Sequence, residues 1–104
     1  VIRVNEVRLR KANSSVCIID YRTPSAYQAE HFKDAINISI GEIPNNLHLL
    51  PKDKNAPIIM YCNTGITSAW GAKELMELGY NDVSVVLEGA VTETFKKELE
   101  LENL

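Results

Sequence analysis

The sequence predicts an α/β domain of three layers, in which about five mostly parallel strands lie between helices. Three short and largely apolar runs, at residues 16–19, 58–61 and 82–87, have the length of strands. Runs of this kind are typical of parallel strands that are covered on both faces. The segments between them have the apolar spacing of helices, and right-handed crossovers through these helices would cover both sides of the sheet.

The first half of the chain carries start signals for its elements. Asn5 can cap a short first helix, and Thr23 with Pro24 supplies the cap and the first-turn proline of a second helix. Residues 35–40 alternate apolar and polar side chains, as a half-covered strand does.

Two longer helices are predicted in the second half of the chain. One covers residues 68–78 and ends at Gly79, which is placed as a left-handed stop residue. The apolar face of this helix is expected to consist of Ala69, Ala72, Leu75 and Met76. The other helix covers residues 90–101 and is amphipathic.

The composition indicates one folded domain that spans residues 1–104. The chain is 45% hydrophobic and 24% charged, close to the averages for globular proteins. Its net charge of −3 leaves no positive excess for a phosphate backbone or an anionic membrane, so neither nucleic acid nor membrane is an expected partner. No apolar run approaches the roughly 18 residues of a membrane span, and no signal-peptide hydrophobic region is present. These features favour a cytoplasmic protein, or a periplasmic one if a signal segment has been removed.

The two cysteines have different settings. Cys17 lies inside an apolar run, as a small buried hydrophobe does. Cys62 directly follows residues 58–61, and in parallel sheets ligands bind beyond the carboxyl ends of the strands. Two cysteines are too few for a disulfide framework, and no Cys/His cluster has the spacing of metal ligands, so no metal site is expected.

Residues 62–68 form a short loop between a predicted strand and a predicted helix. If the loop wraps so that its amides point inward, they form an anion-binding nest, to which the helix N-terminus adds its dipole. Gly65 provides the positive φ that such a wrap needs. The thiolate of Cys62 would then be favoured and the pKa of its thiol lowered. The alternative is that Cys62 is only a small buried residue at the end of a strand.

The chain resembles a rhodanese-like (sulfurtransferase) domain along nearly its whole length. Residues 18–27 are similar to the family's opening segment and residues 30–38 to its Gly-His-Ile segment. Residues 62–68 are similar to the active-site loop with the serine that begins the next helix. Residues 78–83 resemble the Leu-Gly-Tyr step, and residues 87–90 resemble the closing segment. Glu30 and Asp34 stand where the family has glycines, and the closing segment has lost one glycine.

The resemblance implies that Cys62 is the catalytic nucleophile and carries a persulfide sulfur. The sulfur would come from thiosulfate or a small persulfide and pass to cyanide or a thiol, including the thiol of a protein. The resemblance implies no metal and no organic cofactor. The substrate-binding residues it implies are those that follow the cysteine: Asn63, Thr64, Gly65, Ile66, Thr67 and Ser68.

Two loop positions depart from the pattern of many active members, which carry a basic residue just after the cysteine or at the end of the loop. Asn63 and Thr67 are neutral. Thiosulfate is a dianion, so the loss of a cationic contact is expected to weaken its binding by about 1–3 kcal/mol. A neutral or singly charged persulfide donor is then relatively favoured.

Other polar and aromatic residues have a structural and a functional interpretation. Asp20 and Arg22 follow the first apolar run, near the same sheet edge as Cys62, and support the site either as an ion pair or by direct contact with the substrate. His31 is expected to brace its loop. Trp70, off the apolar face of its helix, is expected to cover the rim of the pocket or to pack against a neighbouring chain.

Two other functions compete with sulfur transfer. A phosphatase or arsenate reductase has a similar loop, but it needs an arginine where Ser68 stands, to bind a tetrahedral anion with two hydrogen bonds. A non-catalytic binding or regulatory module of a larger protein would leave Cys62 incidental or redox-sensing. The presence of Cys62, Gly65 and Ser68 together argues against this module.

Overall fold

A sheet of four parallel strands forms the centre of the computed structural model, which describes residues 1–103. The strands are β1 (Cys17–Asp20), β2 (Ile36–Asn37), β3 (Ile58–Tyr61) and β4 (Val83–Val85), in the order β2-β1-β3-β4. The predicted α/β class and its parallel sheet are confirmed. Beside β4, Ile2 forms a single parallel bridge with Val86, so the fifth position of the sheet is held by one residue.

Four helices surround the sheet: α1 (Asn5–Asn13), α2 (Pro24–Ala29), α3 (Thr67–Glu77) and α4 (Glu93–Glu102). Two short 3-10 turns, Ile43–Asn45 and Leu47–Leu49, lie between β2 and β3. Among residues 1–103, no helix has the length and apolar character that crossing a membrane requires.

The two faces of the sheet pack against different helices because successive strand side chains point to opposite faces. On one face, Ile18 and Ile59 pack with Val7 of α1 and with Phe95 and Leu99 of α4. On the other face, residues such as Ile19 and Met60 pack with Ala72 and Leu75 of α3. The result is the predicted three-layer arrangement.

Capping was predicted correctly at one helix and wrongly at another. Thr23 Oγ1 accepts a hydrogen bond from the amide of Ala26 and caps α2, as expected. Asn5, by contrast, lies inside the first turn of α1, and no side chain caps that helix. The amide of the preceding residue, Val4, donates instead to Glu88 Oε1 at 2.9 Å, a contact between residues too distant in the sequence to be anticipated.

Three other expectations were wrong in extent or orientation. β2 covers only Ile36–Asn37 of the predicted residues 35–40, and α4 begins at Glu93 rather than at residue 90. On α3, Ala69 and Met76 are exposed, whereas the predicted face buried them. The buried residues of this helix are spaced by three or four positions in a stripe rotated from the predicted one, and they are Ser68, Gly71, Ala72 and Leu75.

Candidate active site

The end of β3 delivers Cys62 to the start of a tight loop that runs into α3. The strand ends at Tyr61, and α3 begins at Thr67, so Cys62 lies at the carboxyl edge of the sheet and beside the N-terminus of a helix of 11 residues. Gly65 has a φ of +85°, a left-handed conformation that L side chains rarely adopt. The loop can therefore turn back over the cysteine.

The sulfur of Cys62 is surrounded by hydrogen-bond donors. The amides of Gly65 and Ser68 both donate to Sγ at 3.2 Å. The Ser68 hydroxyl lies 3.3 Å from Sγ, where it accepts from the thiol and, once the sulfur is ionised, can turn to donate to it. Two backbone groups and one side chain thus converge on a single atom.

These donors outweigh the cost of burial for the thiolate. Burial is the largest single influence, and it raises the pKa of Cys62. Four hydrogen-bonding groups lower this pKa and together outweigh burial: the hydroxyl and amide of Ser68 and the amides of Thr64 and Gly65. The net effect is a pKa below the ordinary value of 9.0 for a thiol. The thiolate is the nucleophilic form, so the arrangement favours reaction at this sulfur.

Cys62 as a residue is only 1% exposed. It nevertheless differs from an inert core cysteine, because its sulfur is lined by N–H and O–H groups. Cys17 shows the contrast: it is partly exposed, and burial raises the pKa of its thiol. Of the two cysteines, Cys62 has the setting of a nucleophile and Cys17 that of a packing residue.

The backbone of residues 89–91, which follow β4, contacts the loop at Cys62 and Asn63. The amide of Ala90 donates to the carbonyl of Cys62 at 2.9 Å, and the amide of Val91 donates to that of Asn63 at 3.2 Å. Gly89 lies so close to the loop that an added Cβ would stand 2.0 Å from the carbonyl oxygen of Asn63. Sequence reasoning did not include Gly89 among the site residues, although its place in the closing segment of the resemblance was the available signal.

The other loop residues do not all point to the sulfur. The amide of Ile66 donates to Thr64 Oγ1 at 3.4 Å and not to Sγ. The side chains of Asn63, Thr64 and Ile66 are exposed, and Thr67 is half-buried. The loop therefore presents its backbone and the Ser68 hydroxyl to Cys62 and its side chains to the surroundings.

Asp20 and Arg22 form a buried ion pair beside this loop. Arg22 donates to both carboxylate oxygens of Asp20, at 2.9 and 2.7 Å, and also to the carbonyl of Glu30 at 2.7 Å. Arg22 also lies over the ring of Tyr61. Burial, followed by the Asp20 carboxylate, raises the pKa of that phenol. None of the side-chain hydrogen bonds found within residues 1–103 joins Asp20 or Arg22 to the loop, so the geometry is that of a structural ion pair.

The two remaining candidates have separate surroundings. His31 stacks on Tyr27 with ring centroids 3.7 Å apart, and its Nδ1 lies 2.6 Å from the Tyr27 carbonyl oxygen, which is a bracing contact. Trp70 is 72% exposed on the first turns of α3. In the described part of the chain, no group of His, Cys, Asp and Glu side chains has the arrangement of a metal site.

Comparison with known sequences adds to this geometry. The sequence model described as Rhodanese-like domain matches residues 4–96. The chain is 40% identical over 65 residues to "Thiosulfate sulfurtransferase PspE" of Escherichia coli strain K12, a match that covers 62% of each chain. It is 30% identical over 77 residues to "Thiosulfate sulfurtransferase GlpE" of Coxiella burnetii, covering 74% of this chain and 70% of the relative. The region similar to the E. coli protein is thus less than two thirds of that protein's length.

Solved structures show the same fold. A structure described as rhodanese with anions from E. coli is 36% identical with a TM-score of 0.64, over 72% of this chain and 87% of that chain. The crystal structure of reduced Bacillus anthracis CoADR-RHD is 26% identical with a TM-score of 0.81, over 98% of this chain but only 17% of that longer chain. The matching sequence model and the shared fold show that the chain belongs to the rhodanese-like domain family.

Proposed function

We propose that this protein transfers a sulfane sulfur from a small donor to a thiophilic acceptor and carries it as a persulfide on Cys62. The observation that carries the proposal is the convergence of the Gly65 amide, the Ser68 amide and the Ser68 hydroxyl on Sγ. Such donors favour a thiolate and would also favour the negative charge of a persulfide. The names of the matched relatives in E. coli and C. burnetii support the same reaction class.

The first half of the reaction loads the cysteine. The Cys62 thiolate attacks the outer sulfur of thiosulfate, a new S–S bond forms, and the old S–S bond breaks with its electron pair leaving on sulfite. With an organic persulfide as donor, the leaving group is the corresponding thiolate. In either case Cys62 becomes a persulfide anion, and no proton or outside oxidant is needed.

The second half returns the cysteine to its starting state. Cyanide or a thiolate attacks the terminal sulfur of the persulfide, and the bond to Sγ breaks with its electrons returning to Cys62. The products are thiocyanate or a new persulfide on the acceptor, which includes a protein cysteine. The donors around Sγ receive the charge again, so the loop assists both halves of the reaction.

The roles of the other loop residues follow from their positions. Ser68 and Gly65 hold the sulfur, while Asn63, Thr64, Ile66 and Thr67 border the path by which a donor reaches it. Asp20 and Arg22 support the site through the packing of β1 against β3. Phosphate-ester chemistry needs the guanidinium of an arginine at the position where Ser68 stands. Ser68 can donate hydrogen bonds there, but it carries no charge.

Mass spectrometry after incubation with a sulfur donor tests the proposal. The chain is incubated with thiosulfate or glutathione persulfide, and a gain of one sulfur atom is expected on Cys62. The matched pair of variants is Cys62→Ser, which should lose the adduct, and Cys17→Ser, which should keep it. Absence of an adduct with every donor would refute the proposal and favour a non-catalytic binding or regulatory module.

A further inference from the structure

Three consecutive residues near the start of the chain are held against the segment that follows β4. The carbonyl of Ile2 accepts a hydrogen bond from the amide of Leu87 at 2.8 Å. Arg3 Nη1 lies 3.6 Å from Glu88 Oε2, and the amide of Val4 donates to Glu88 Oε1 at 2.9 Å. The side chain of Glu88 therefore makes two of these three contacts.

The contact of Glu88 with Val4 is the stronger of the two. Val4 is fully buried, and only 15% of the Glu88 side chain is exposed. Val4 is the residue that precedes α1, so the carboxylate lies at the positive end of the helix dipole. A hydrogen bond to a charged acceptor in such a setting is stronger than one between neutral groups. Arg3 is 66% exposed, so its ion pair with Glu88 contributes little.

The residues on either side of Glu88 contact the loop that encloses the Cys62 sulfur. On one side, the carbonyl oxygen of Leu87 lies 2.4 Å from the point where a Cβ on Gly65 would stand. On the other side, the amide of Ala90 donates to the carbonyl of Cys62 at 2.9 Å. The described hydrogen bond and ion pair of the Glu88 side chain do not reach the loop. Glu88 is therefore anchored at α1, while the backbone before and after it is packed against the loop.

We infer that Glu88 is a positioning residue, which holds residues 87–90 against the loop through its bond to the Val4 amide and so keeps the Gly65 amide directed at Sγ. This inference rests on the proposed function, because the group positioned is the nucleophile of that reaction. The Gly65 amide donates to Sγ at 3.2 Å and is one of the groups that lower the pKa of Cys62. Hydrogen bonds weaken steeply as their geometry departs from linearity. Release of Glu88 from Val4 would therefore make the thiolate less favoured and slow its reaction with a sulfur donor.

Two conservative substitutions separate the reach of the Glu88 side chain from its charge. Glu88→Gln keeps the length of the side chain and an oxygen that accepts from the Val4 amide, but removes the charge. Glu88→Asp keeps the charge but withdraws the carboxylate from that amide by about 1.5 Å, the length of one C–C bond. Glu98→Asp is the matched control. Glu98 is 12% exposed and pairs with Arg8 of α1 at 2.8 Å, but it belongs to α4 and not to the segment that contacts the loop.

Two measurements on Cys62 are made in a Cys17→Ser background. One is the midpoint of the pH profile of alkylation by iodoacetamide. The other is the rate constant for persulfide formation at a fixed pH below that midpoint, with thiosulfate or glutathione persulfide, whichever loads the parent chain faster. Glu88→Asp should raise the midpoint by about half a pH unit and slow persulfide formation about twofold to threefold. Glu88→Gln should not raise the midpoint, because removal of a nearby negative charge favours the thiolate, and Glu98→Asp should leave both quantities unchanged.

The outcomes distinguish positioning from a purely structural role. If Glu88→Asp keeps the midpoint and the persulfide rate of the parent chain, whatever its stability in urea, the inference is overturned and the proposed function stands. A midpoint that rises in Glu88→Gln but not in Glu88→Asp would also overturn it, because the charge and not the reach of the side chain would then matter. An equal shift in Glu98→Asp would do the same, since general loosening of α1 would explain it. Absence of persulfide on the parent chain with both donors would instead overturn the proposed function and this inference with it.

Discussion

Removing the Ser68 hydroxyl is expected to make the Cys62 thiol harder to ionise. The hydroxyl oxygen lies 3.3 Å from Sγ, and it is the strongest of the hydrogen-bonding influences that lower the pKa of Cys62. A hydrogen bond to a charged group contributes about 1.5–3 kcal/mol, and the lower end applies here because the Gly65 and Ser68 amides remain. Loss of about 1.5 kcal/mol raises the pKa by about one unit and so reduces the thiolate fraction about tenfold at pH values below the pKa.

The rate of alkylation should fall by less than the thiolate fraction. A thiolate of higher pKa is intrinsically more nucleophilic, with a Brønsted coefficient of about 0.4–0.5. A tenfold loss of thiolate in Ser68→Ala is therefore partly offset, and the rate below the pKa should fall about threefold. Above the pKa the variant should react faster than the parent chain, so the two pH profiles should cross.

Alkylation with iodoacetamide across a pH series measures both effects. The parent chain carries Cys17→Ser, so that only Cys62 reacts. Thr67→Val is the control, because it also loses a hydroxyl near the loop but has no hydrogen bond to Sγ among the described contacts. Profiles of Ser68→Ala and Thr67→Val with the same midpoint would refute the reasoning that the Ser68 hydroxyl stabilises the thiolate.

Three further outcomes test other parts of the site. In a Cys17→Ser background, the unfolding free energy should rise with pH between the lowered pKa of Cys62 and the ordinary thiol value of 9.0. This contribution of the Cys62 thiolate to stability is lost as pH falls through the lowered pKa. Urea titrations at successive pH values should show that Cys62→Ser abolishes this rise, and a rise that persists would assign it to another group. Gly89→Ala places a Cβ against the carbonyl of Asn63 and should cost about 1–3 kcal/mol and slow persulfide formation; unchanged stability would mean that the loop can move aside freely. Arg22→Met leaves the Asp20 carboxylate buried without its partner and should lower the unfolding free energy by about 3–5 kcal/mol in urea denaturation. The control Arg3→Met removes an exposed partner of Glu88 and should cost less than about 1 kcal/mol, so equal losses would contradict the role of the buried pair.

Features set by neighbouring residues were predictable from the sequence. The apolar runs located β1 and β3, Thr23 marked the start of α2, and Gly79 stopped α3 with a φ of +101°. The loop after Cys62 was predictable for the same reason, because a glycine and a helix start lie within a few residues of it. Local backbone preferences decide each of these features, and the sequence displays such preferences directly.

Features set by distant residues were not predictable in the same way. The exposure of Met76 depends on how α3 packs against the sheet, and the spacing of apolar residues along the helix does not by itself determine that packing. The contact of Glu88 with Val4 and that of Gly89 with Asn63 join segments far apart in the chain. Asp20 and Arg22 could be placed near the sheet edge, but whether they face each other or a substrate depends on tertiary packing.

The pairing of Ile2 with Val86 has a consequence for how the chain acquires its fold. The amide of Ile2 donates to the carbonyl of Val85 at 2.9 Å, and the amide of Leu87 donates to that of Ile2 at 2.8 Å. Contacts between residues so distant in the sequence form late, because the intervening chain must first be ordered. On the ribosome, the backbone of Ile2 has no strand to pair with until Val86 has emerged from the exit tunnel. Nascent chains arrested before that point should remain sensitive to protease, and protection should begin only once residues 85–102 are outside, because Phe95 and Leu99 of α4 complete the same core.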